Sequence, residues 1–263
     1  MIRSFFGIEK DPFAIDTITL LSNQQEIYDI LKVHSQQGGL CLLMGEPGTG
    51  KTIIKESLKQ NTDKRMVIIS IARTLHTYIN TINQLCNALC IEQTGSYFKN
   101  EKMLIEQAYT LKREGKTLVT IIDDAHLMEM ETLRKLRLLF EDFPKNHNVI
   151  LIGQPELLYK MSLKVNDDIK SRVTYSTMMI KMNPDQMKEF ILNQLDQVAL
   201  GHNLFTDDAF GLIIRSANGI IRRARNLCLS CLLEAVRLRK KTIDLEITNR
   251  VLLQPHWRDE YDL

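Results

Sequence analysis

The chain has 263 residues, of which 44% are hydrophobic and 25% charged, and its net charge is +2. That length accommodates one large domain, or a core domain with a smaller one, and the composition is that of an ordinary globular chain rather than a disordered or fibrous one. So small a net charge names no partner. No apolar run approaches the roughly 20 residues that span a bilayer, and the N-terminus lacks a signal-peptide pattern, so the expectation is a cytoplasmic protein with no membrane partner. The five cysteines are odd in number and sit mostly in apolar stretches, which suits reduced thiols.

In chain order, Phe5, Phe6, Pro12 and Phe13 cluster early. Ser22-Asn23-Gln24-Gln25-Glu26 then starts a helix carrying Ile27, Ile30, Leu31 and His34 at helical spacing, ended by Gly38-Gly39. This lead-in either covers a nucleotide base or is purely structural. Leu40–Met44 reads as a buried parallel strand. It runs into Gly45-Glu46-Pro47-Gly48-Thr49-Gly50-Lys51-Thr52, which fits the phosphate-binding pattern G-x-x-x-x-G-K-[ST] between a strand and a helix. Ile53, Ile54 and Leu58 mark that helix. Glycines allow the tight curl, inward N–H groups and the helix N-terminus favour phosphate, Lys51 would reach the β/γ-phosphates, and the Thr52 hydroxyl would ligate Mg²⁺. The expected ligand is a nucleoside triphosphate.

Met66–Ile71 is a second strand, followed by a helix over Tyr78–Leu89, a polar loop at Gln93–Asn100 and a helix over Glu101–Glu114. Leu118–Ile122 is a third strand ending in Asp123-Asp124. Asp123 would hold Mg²⁺ through water, and Asp124 would orient or deprotonate the attacking water. An amphipathic helix over Leu127–Phe140 carries Arg134, Lys135 and Arg137. Asn148–Ile152 is a fourth strand, and Gln154 beyond it is a candidate sensor of the γ-phosphate. Ser171-Arg172-Val173 leads to a fifth strand near Thr177–Ile180. Alternating strands and helices predict a parallel sheet covered on both faces.

After Met182 the pattern becomes helical. Asn183-Pro184 starts a helix with Pro in its first turn, and helices are predicted at about 185–199, 207–217 and 221–239, then a short last one. The division is a 1–182 α/β nucleotide-binding domain, a 183–254 helical lid and a 255–263 tail. The tail carries Trp257 and Tyr261, and is either a partner-docking peptide or a loose end.

In this order the motifs resemble the AAA+ ATPases, specifically the ExeA-like branch shared by a secretion ATPase and the TnsC/TniB/MuB-type helpers of DNA transposition. The likeness is carried by Phe5-Phe6-Gly7 with Asp11-Pro12-Phe13, by Gly45–Thr52, by Ile122-Asp123-Asp124-Ala125-His126, by Gly153-Gln154-Pro155-Glu156-Leu157, by Ser171-Arg172-Val173 and by Gly219-Ile220-Ile221-Arg222-Arg223. The resemblance implies an AAA+ P-loop core with a five-stranded parallel sheet and a small all-helical lid. It implies ATP and Mg²⁺ as ligands, Gln154 as sensor 1, Arg172 as an arginine finger acting on a neighbouring subunit, and Arg222 as sensor 2. Two departures stand out. The second acid is Asp124, a methylene shorter than the usual Glu, which suits slow or water-mediated hydrolysis. Ile221 replaces the usual Pro, which leaves Arg222 and Arg223 unranked.

Other constellations are weaker. Cys228-x-x-Cys231 and Cys86-x-x-x-Cys90 lie in predicted helices and read as buried thiols rather than a zinc site, and His34, His76, His126, His147, His202 and His256 show no ligand spacing. Between Arg215 and Lys241 the lid has eight basic residues against Glu234 alone. Of these, Arg223 and Arg225 are DNA-phosphate candidates, the alternative being a solvated face. Lys99, Lys102, Lys112, Arg113 and Lys116 are further DNA candidates, because the resemblance implies that this portion faces the pore in ring-forming relatives.

The function implied is an ATP hydrolase that oligomerises on double-stranded DNA, as a ring or a helical filament, and recruits or regulates a transposase. The rival is the secretion branch, whose members continue into a membrane span and an envelope domain. This chain shows neither, which tips the expectation toward the DNA helper. A third reading is an ATP-binding switch with little hydrolysis.

Overall fold

The computed structural model describes residues 1–13, 20–60, 63–72 and 77–257; His76 and Tyr261, both singled out in the sequence, lie outside them. The elements in order are α1 (Ile2–Phe6), α2 (Ser22–Gln37), β1 (Gly39–Gly45), α3 (Lys51–Lys59), β2 (Met66–Ile71), α4 (Tyr78–Ala88), α5 (Tyr97–Arg113), β3 (Thr117–Ile122), α6 (Met130–Glu141) and β4 (Asn148–Gly153). Then come α7 (Glu156–Ser162), α8 (Asp167–Lys170), β5 (Val173–Met179), α9 (Pro184–Asp196), α10 (Asp207–Ala217), α11 (Ile221–Arg237) and α12 (Leu245–Leu252). They form two compact units, one of Thr19–Glu46 with Lys51–Met179, the other of Met1–Ile18, Pro47–Gly50 and Ile180–Leu263.

The first unit is built on a five-stranded, all-parallel sheet in the order β2-β3-β4-β1-β5. Successive side chains of a strand face opposite sides, so a strand buried on both faces must be apolar throughout. β1 obeys this. Leu42 and Met44 enter a core with Leu118, Ile122 and Leu151, closed by Ile82 and Leu85 of α4, Leu104 of α5 and Leu136 of α6. Cys41 and Leu43 enter the opposite core with Ile121, Ile150 and Ile152, closed by Leu31 of α2 and by Ile54 and Leu58 of α3. Because β4 pairs in parallel with both β3 and β1, the C-terminal ends of all three point the same way. The ends of β1 and β3 therefore lie about 10 Å apart, with β4 between them.

The second unit is helical, and its boundaries follow local capping. Asn183 caps α9 by accepting from Gln186 N–H, while the Gln186 side chain accepts from Asn183 N–H, with Pro184 at the first helical position. Thr206 and Asp244 cap α10 and α12 by accepting the Ala209 and Ile247 N–H groups, without the reciprocal side-chain bond. Asn218, at φ 48°, ends α10 in the left-handed conformation. Buried Ile213, Leu227, Cys228, Cys231, Leu232 and Ile247 supply apolar positions from these helices. The N-terminal Phe5 and Phe6 also belong here, with the Lys241 ammonium 4.1 Å from the Phe5 ring centroid and donating to the Phe5 carbonyl.

Several expected boundaries shift. The fifth strand begins at Val173 rather than near Thr177. α5 begins at Tyr97, inside the predicted polar loop, because Asn100 is buried and its side chain accepts from Thr94 N–H, folding the loop onto the helix start. α6 begins only at Met130, because Asp124 takes the left-handed conformation and Ala125–Leu127 forms a short 3₁₀ turn. Residues 2–6, read only as an aromatic cluster, are helical. Cys90 is exposed at φ 55°, beyond the end of α4, and is not the buried helical thiol expected.

Candidate active site

The phosphate-binding loop leaves β1 at Gly45 and re-enters helix at Lys51. Gly48 and Gly50 have φ of 84° and 106°, which side-chain-bearing residues rarely adopt. A Cβ on Gly48 would also lie 2.8 Å from Arg222 Cβ and Ile220 Cγ2, and the Gly48 carbonyl accepts the Arg222 N–H at 3.2 Å. The Lys51 ammonium curls back over the loop and donates to the Gly45 and Glu46 carbonyls at 2.6 and 2.9 Å. Thr49 is buried, Glu46, Pro47 and Thr52 are exposed, and Ile53 is half-buried on α3.

Asp123 follows β3 directly. Its Oδ1 accepts the Asp124 N–H at 2.9 Å, and its Oδ2 accepts from the Lys55 ammonium at 2.7 Å. Lys55 was not singled out in the sequence. The available signal was its position four residues after Lys51, which places both lysines on one face of α3. Asp124 is exposed at φ 54°.

Gln154, one residue past β4, lies beside this loop. Its Nε2 donates to His126 Nε2 at 2.8 Å. An amide nitrogen can only donate, so His126 Nε2 accepts and the ring proton sits on Nδ1, which is buried with no partner among the described residues. Burial holds the His126 imidazole below its ordinary pKa against the opposing pull of the Asp124 and Glu156 carboxylates. Lys160 Nζ donates to the His126 carbonyl at 2.7 Å, which ties α7 to the same turn.

Arg172 precedes β5 and its guanidinium lies 3.1 Å from Glu141, with 59% of the side chain exposed. The turn before it is anchored to α6, because Arg134 donates to Asp168 and Asn166, both at 3.0 Å, and Arg137 donates to the Asp168 carbonyl at 3.2 Å. Arg222 is exposed at the first turn of α11. Arg225 is half-buried, and its desolvation, with the neighbouring Arg222 charge, depresses its pKa.

The expected DNA candidates fall in two places. Lys99, Lys102, Lys112 and Arg113 are exposed along α5, with Lys102 4.0 Å from Glu106, while Lys116 is half-buried against Glu114 at 2.7 Å. Arg223 is half-buried with its guanidinium 6.0 Å from the Trp257 ring centroid and its Nη2 donating to the Trp257 carbonyl at 3.5 Å. No group of three or more metal-ligating side chains exists among the described residues.

The residue set fits a magnesium nucleotide. The glycine-formed loop opens a helix N-terminus, Lys51 supplies a flexible cation beside it, and Thr52 and Asp123 offer hard oxygen donors of the kind Mg²⁺ takes. The five parallel strands in this order, with the glycine loop after β1 and the acidic pair after β3, have the architecture of an AAA+ P-loop fold.

A family model described as an AAA domain matches residues 33–161. The chain is 28% identical over 251 residues to General secretion pathway protein A of Aeromonas hydrophila, which covers 89% of this chain but only 45% of that protein, so the chain spans less than half of the relative. Among solved structures it is similar to Cdc6p from Pyrobaculum aerophilum, with a TM-score of 0.73, 16% identity, and coverage of 90% of this chain and 68% of the other. It is also similar to the Aeropyrum pernix ORC1 protein in complex with DNA, with a TM-score of 0.69, 15% identity, and coverage of 91% and 67%. At those identities the structural likenesses bear on the fold alone. No helix of the described residues is long and apolar enough to cross a membrane.

Proposed function

We propose that this chain binds and slowly hydrolyses ATP, assembles on double-stranded DNA in its ATP-bound form, and recruits or regulates a transposase. The observation that supports the nucleotide half is that α3, which opens with Lys51 directly after the glycine loop, meets the end of β3 through the Lys55–Asp123 ion pair. Lys51 would hold the β/γ-phosphates, with the loop N–H groups of Gly45–Thr52 beneath them. Bound Mg²⁺, held by Thr52 and through water by Asp123, would neutralise charge across those phosphates. Asp124 would orient the attacking water. Its short side chain reaches less far than a Glu would, which favours slow turnover. Gln154 would sense the γ-phosphate, Arg172 would act on the nucleotide of a second copy, and Arg222 would serve as the lid's sensor 2.

The DNA half is supported by the exposed cations of α5 and by a fold shared with an ORC1 protein solved in complex with DNA. In that reading Lys99, Lys102, Lys112, Arg113 and Lys116 meet phosphates without reading sequence. Arg223 and Arg225 are the weaker members, being half-buried. The similarity to General secretion pathway protein A favours a second reading, an ATPase serving a secretion complex.

Steady-state ATP turnover, with and without random-sequence duplex and with Lys51→Ala as control, tests the proposal. Duplex-stimulated turnover that Lys51→Ala abolishes is the expected result. Turnover indifferent to DNA would favour the secretion reading, and ATP binding without turnover would leave a nucleotide switch.

A further inference from the structure

The sequence motifs account for Lys51, Thr52 and Asp123 but not for the strongest contact Asp123 makes. Lys55 Nζ sits 2.7 Å from Asp123 Oδ2, with the two side chains only 13% and 17% exposed; no other ion pair among the described residues encloses both partners so well. The other carboxylate oxygen is occupied by the Asp124 N–H. Glu56 is the next acid near Lys55, at 3.7 Å, so Asp123 is the closer partner. Lys55 lies one helical turn beyond Lys51, so the two lysines extend from the same face of α3, one toward the phosphate loop and one toward the acid.

Each carboxylate oxygen accepts up to two hydrogen bonds, so Asp123 keeps lone pairs for a metal-bound water, but the ammonium on Oδ2 opposes any second cation brought to the same carboxylate. An ammonium is a compact point charge on a flexible stem, so it can yield that oxygen without disturbing the strand. An enclosed carboxylate stripped of its cation is strongly disfavoured until another cation replaces it.

We propose that Lys55 is a resident counter-cation of Asp123 that competes with Mg²⁺, so that Lys55 raises the Mg²⁺ concentration at which the protein loads nucleotide. This rests on the reading of Gly45–Thr52 and Asp123 as the nucleotide site. Lys55 is thereby a positioning residue acting through Asp123, not a group that touches the phosphates.

The test is equilibrium binding of a fluorescent, non-hydrolysable ATP analogue while Mg²⁺ is titrated, in the parent chain and in Lys55→Met and Lys55→Arg, each with and without Asp123→Asn. Thermal unfolding in chelator and in saturating Mg²⁺ accompanies it. Lys55→Met should lower the Mg²⁺ midpoint on the order of tenfold, through loss of a competing charge at contact distance. It should also unfold at lower temperature in chelator and recover with Mg²⁺. Lys55→Arg, which keeps the charge, should stay close to the parent, and Asp123→Asn should erase the effect of Lys55→Met. A midpoint unchanged or raised in Lys55→Met overturns the inference. If the analogue binds the parent and Lys51→Ala abolishes that binding, such a result removes the Lys55 assignment alone. If the parent never binds the analogue, the nucleotide reading fails and this inference falls with it.

Discussion

β4 and β5 flank the same strand, β1, yet they are built differently. Every residue of β4 is buried, while β5 alternates partly buried and exposed positions, as an edge strand with one face toward solvent does. The site residues inherit this difference. Gln154 hangs from the end of a strand clamped on both faces and is locked to a buried histidine. Arg172 precedes the edge strand and is held by one exposed ion pair to Glu141. A group at the end of a central strand is pre-positioned, whereas a group at the edge is free to turn toward something outside the chain. That is the property Arg172 needs if it acts on a second copy.

The sharpest way to break this contrast is to hollow out each strand. Ile150→Ala, in β4 at 0% exposure, should cost about 3–4 kcal/mol by denaturant unfolding, from the lost transfer energy and the cavity left behind. Met178→Ala in β5, at 38% exposure, should cost under about 1 kcal/mol. Equal costs would mean that the edge strand is covered more fully than its exposure indicates. Next in size, Lys51→Ala should weaken ATP binding on the order of a hundredfold, about 3 kcal/mol, since a charged donor is lost from the phosphates. Calorimetric titration measures it, and the unfolding temperature without nucleotide should barely move.

A pH effect comes third. His147, beside β4, is buried and shares a 3.0 Å hydrogen bond with Thr120 Oγ1, and burial pushes its pKa down to about 3. An imidazole in the unfolded chain titrates near ~6.5, so below that pH the unfolded state binds the extra proton and stability falls as pH falls toward 3. Between about pH 6.5 and 5 this amounts to roughly 2 kcal/mol, and above 6.5 the group adds no slope. His147→Gln should flatten that acid limb when unfolding is followed against pH; an unchanged slope would refute the assignment. The smallest effect belongs to the edge. Arg172→Ala should change stability by less than about 0.5 kcal/mol, because its ion pair is exposed, while lowering ATP turnover. A large loss of stability would make Arg172 a structural residue instead.

The same contrast explains what could be read from the sequence. β1, β3 and β4 are predominantly apolar runs, broken in β3 only by the buried Thr120, as strands covered on both faces must nearly be, so the parallel sheet and the loops at its ends were legible. β5, with Thr174 and Ser176 facing out, carries a diluted signal, and its start was misplaced by four residues. The start of α6 was hidden because Asp124 adopts a left-handed conformation that neither periodicity nor capping patterns betray. Lys55 and His126 escaped assignment for another reason. Each matters through one tertiary contact, with Asp123 and with Gln154, and no local pattern encodes a partner at that separation. The helical unit was legible through its Asn183-Pro184 start, while the caps Thr206 and Asp244 emerge only in the structure and the N-terminal helix is too short for a period to show.

The most direct test of the central claim is binding to random-sequence duplex DNA with ATP, with ADP and without nucleotide, across a salt series. Cooperative binding that appears with ATP and weakens steeply with salt is the predicted result, the log–log slope reporting about 0.9 per phosphate contacted. Absence of binding in every nucleotide state would contradict the account and leave the AAA+ core working on a protein partner.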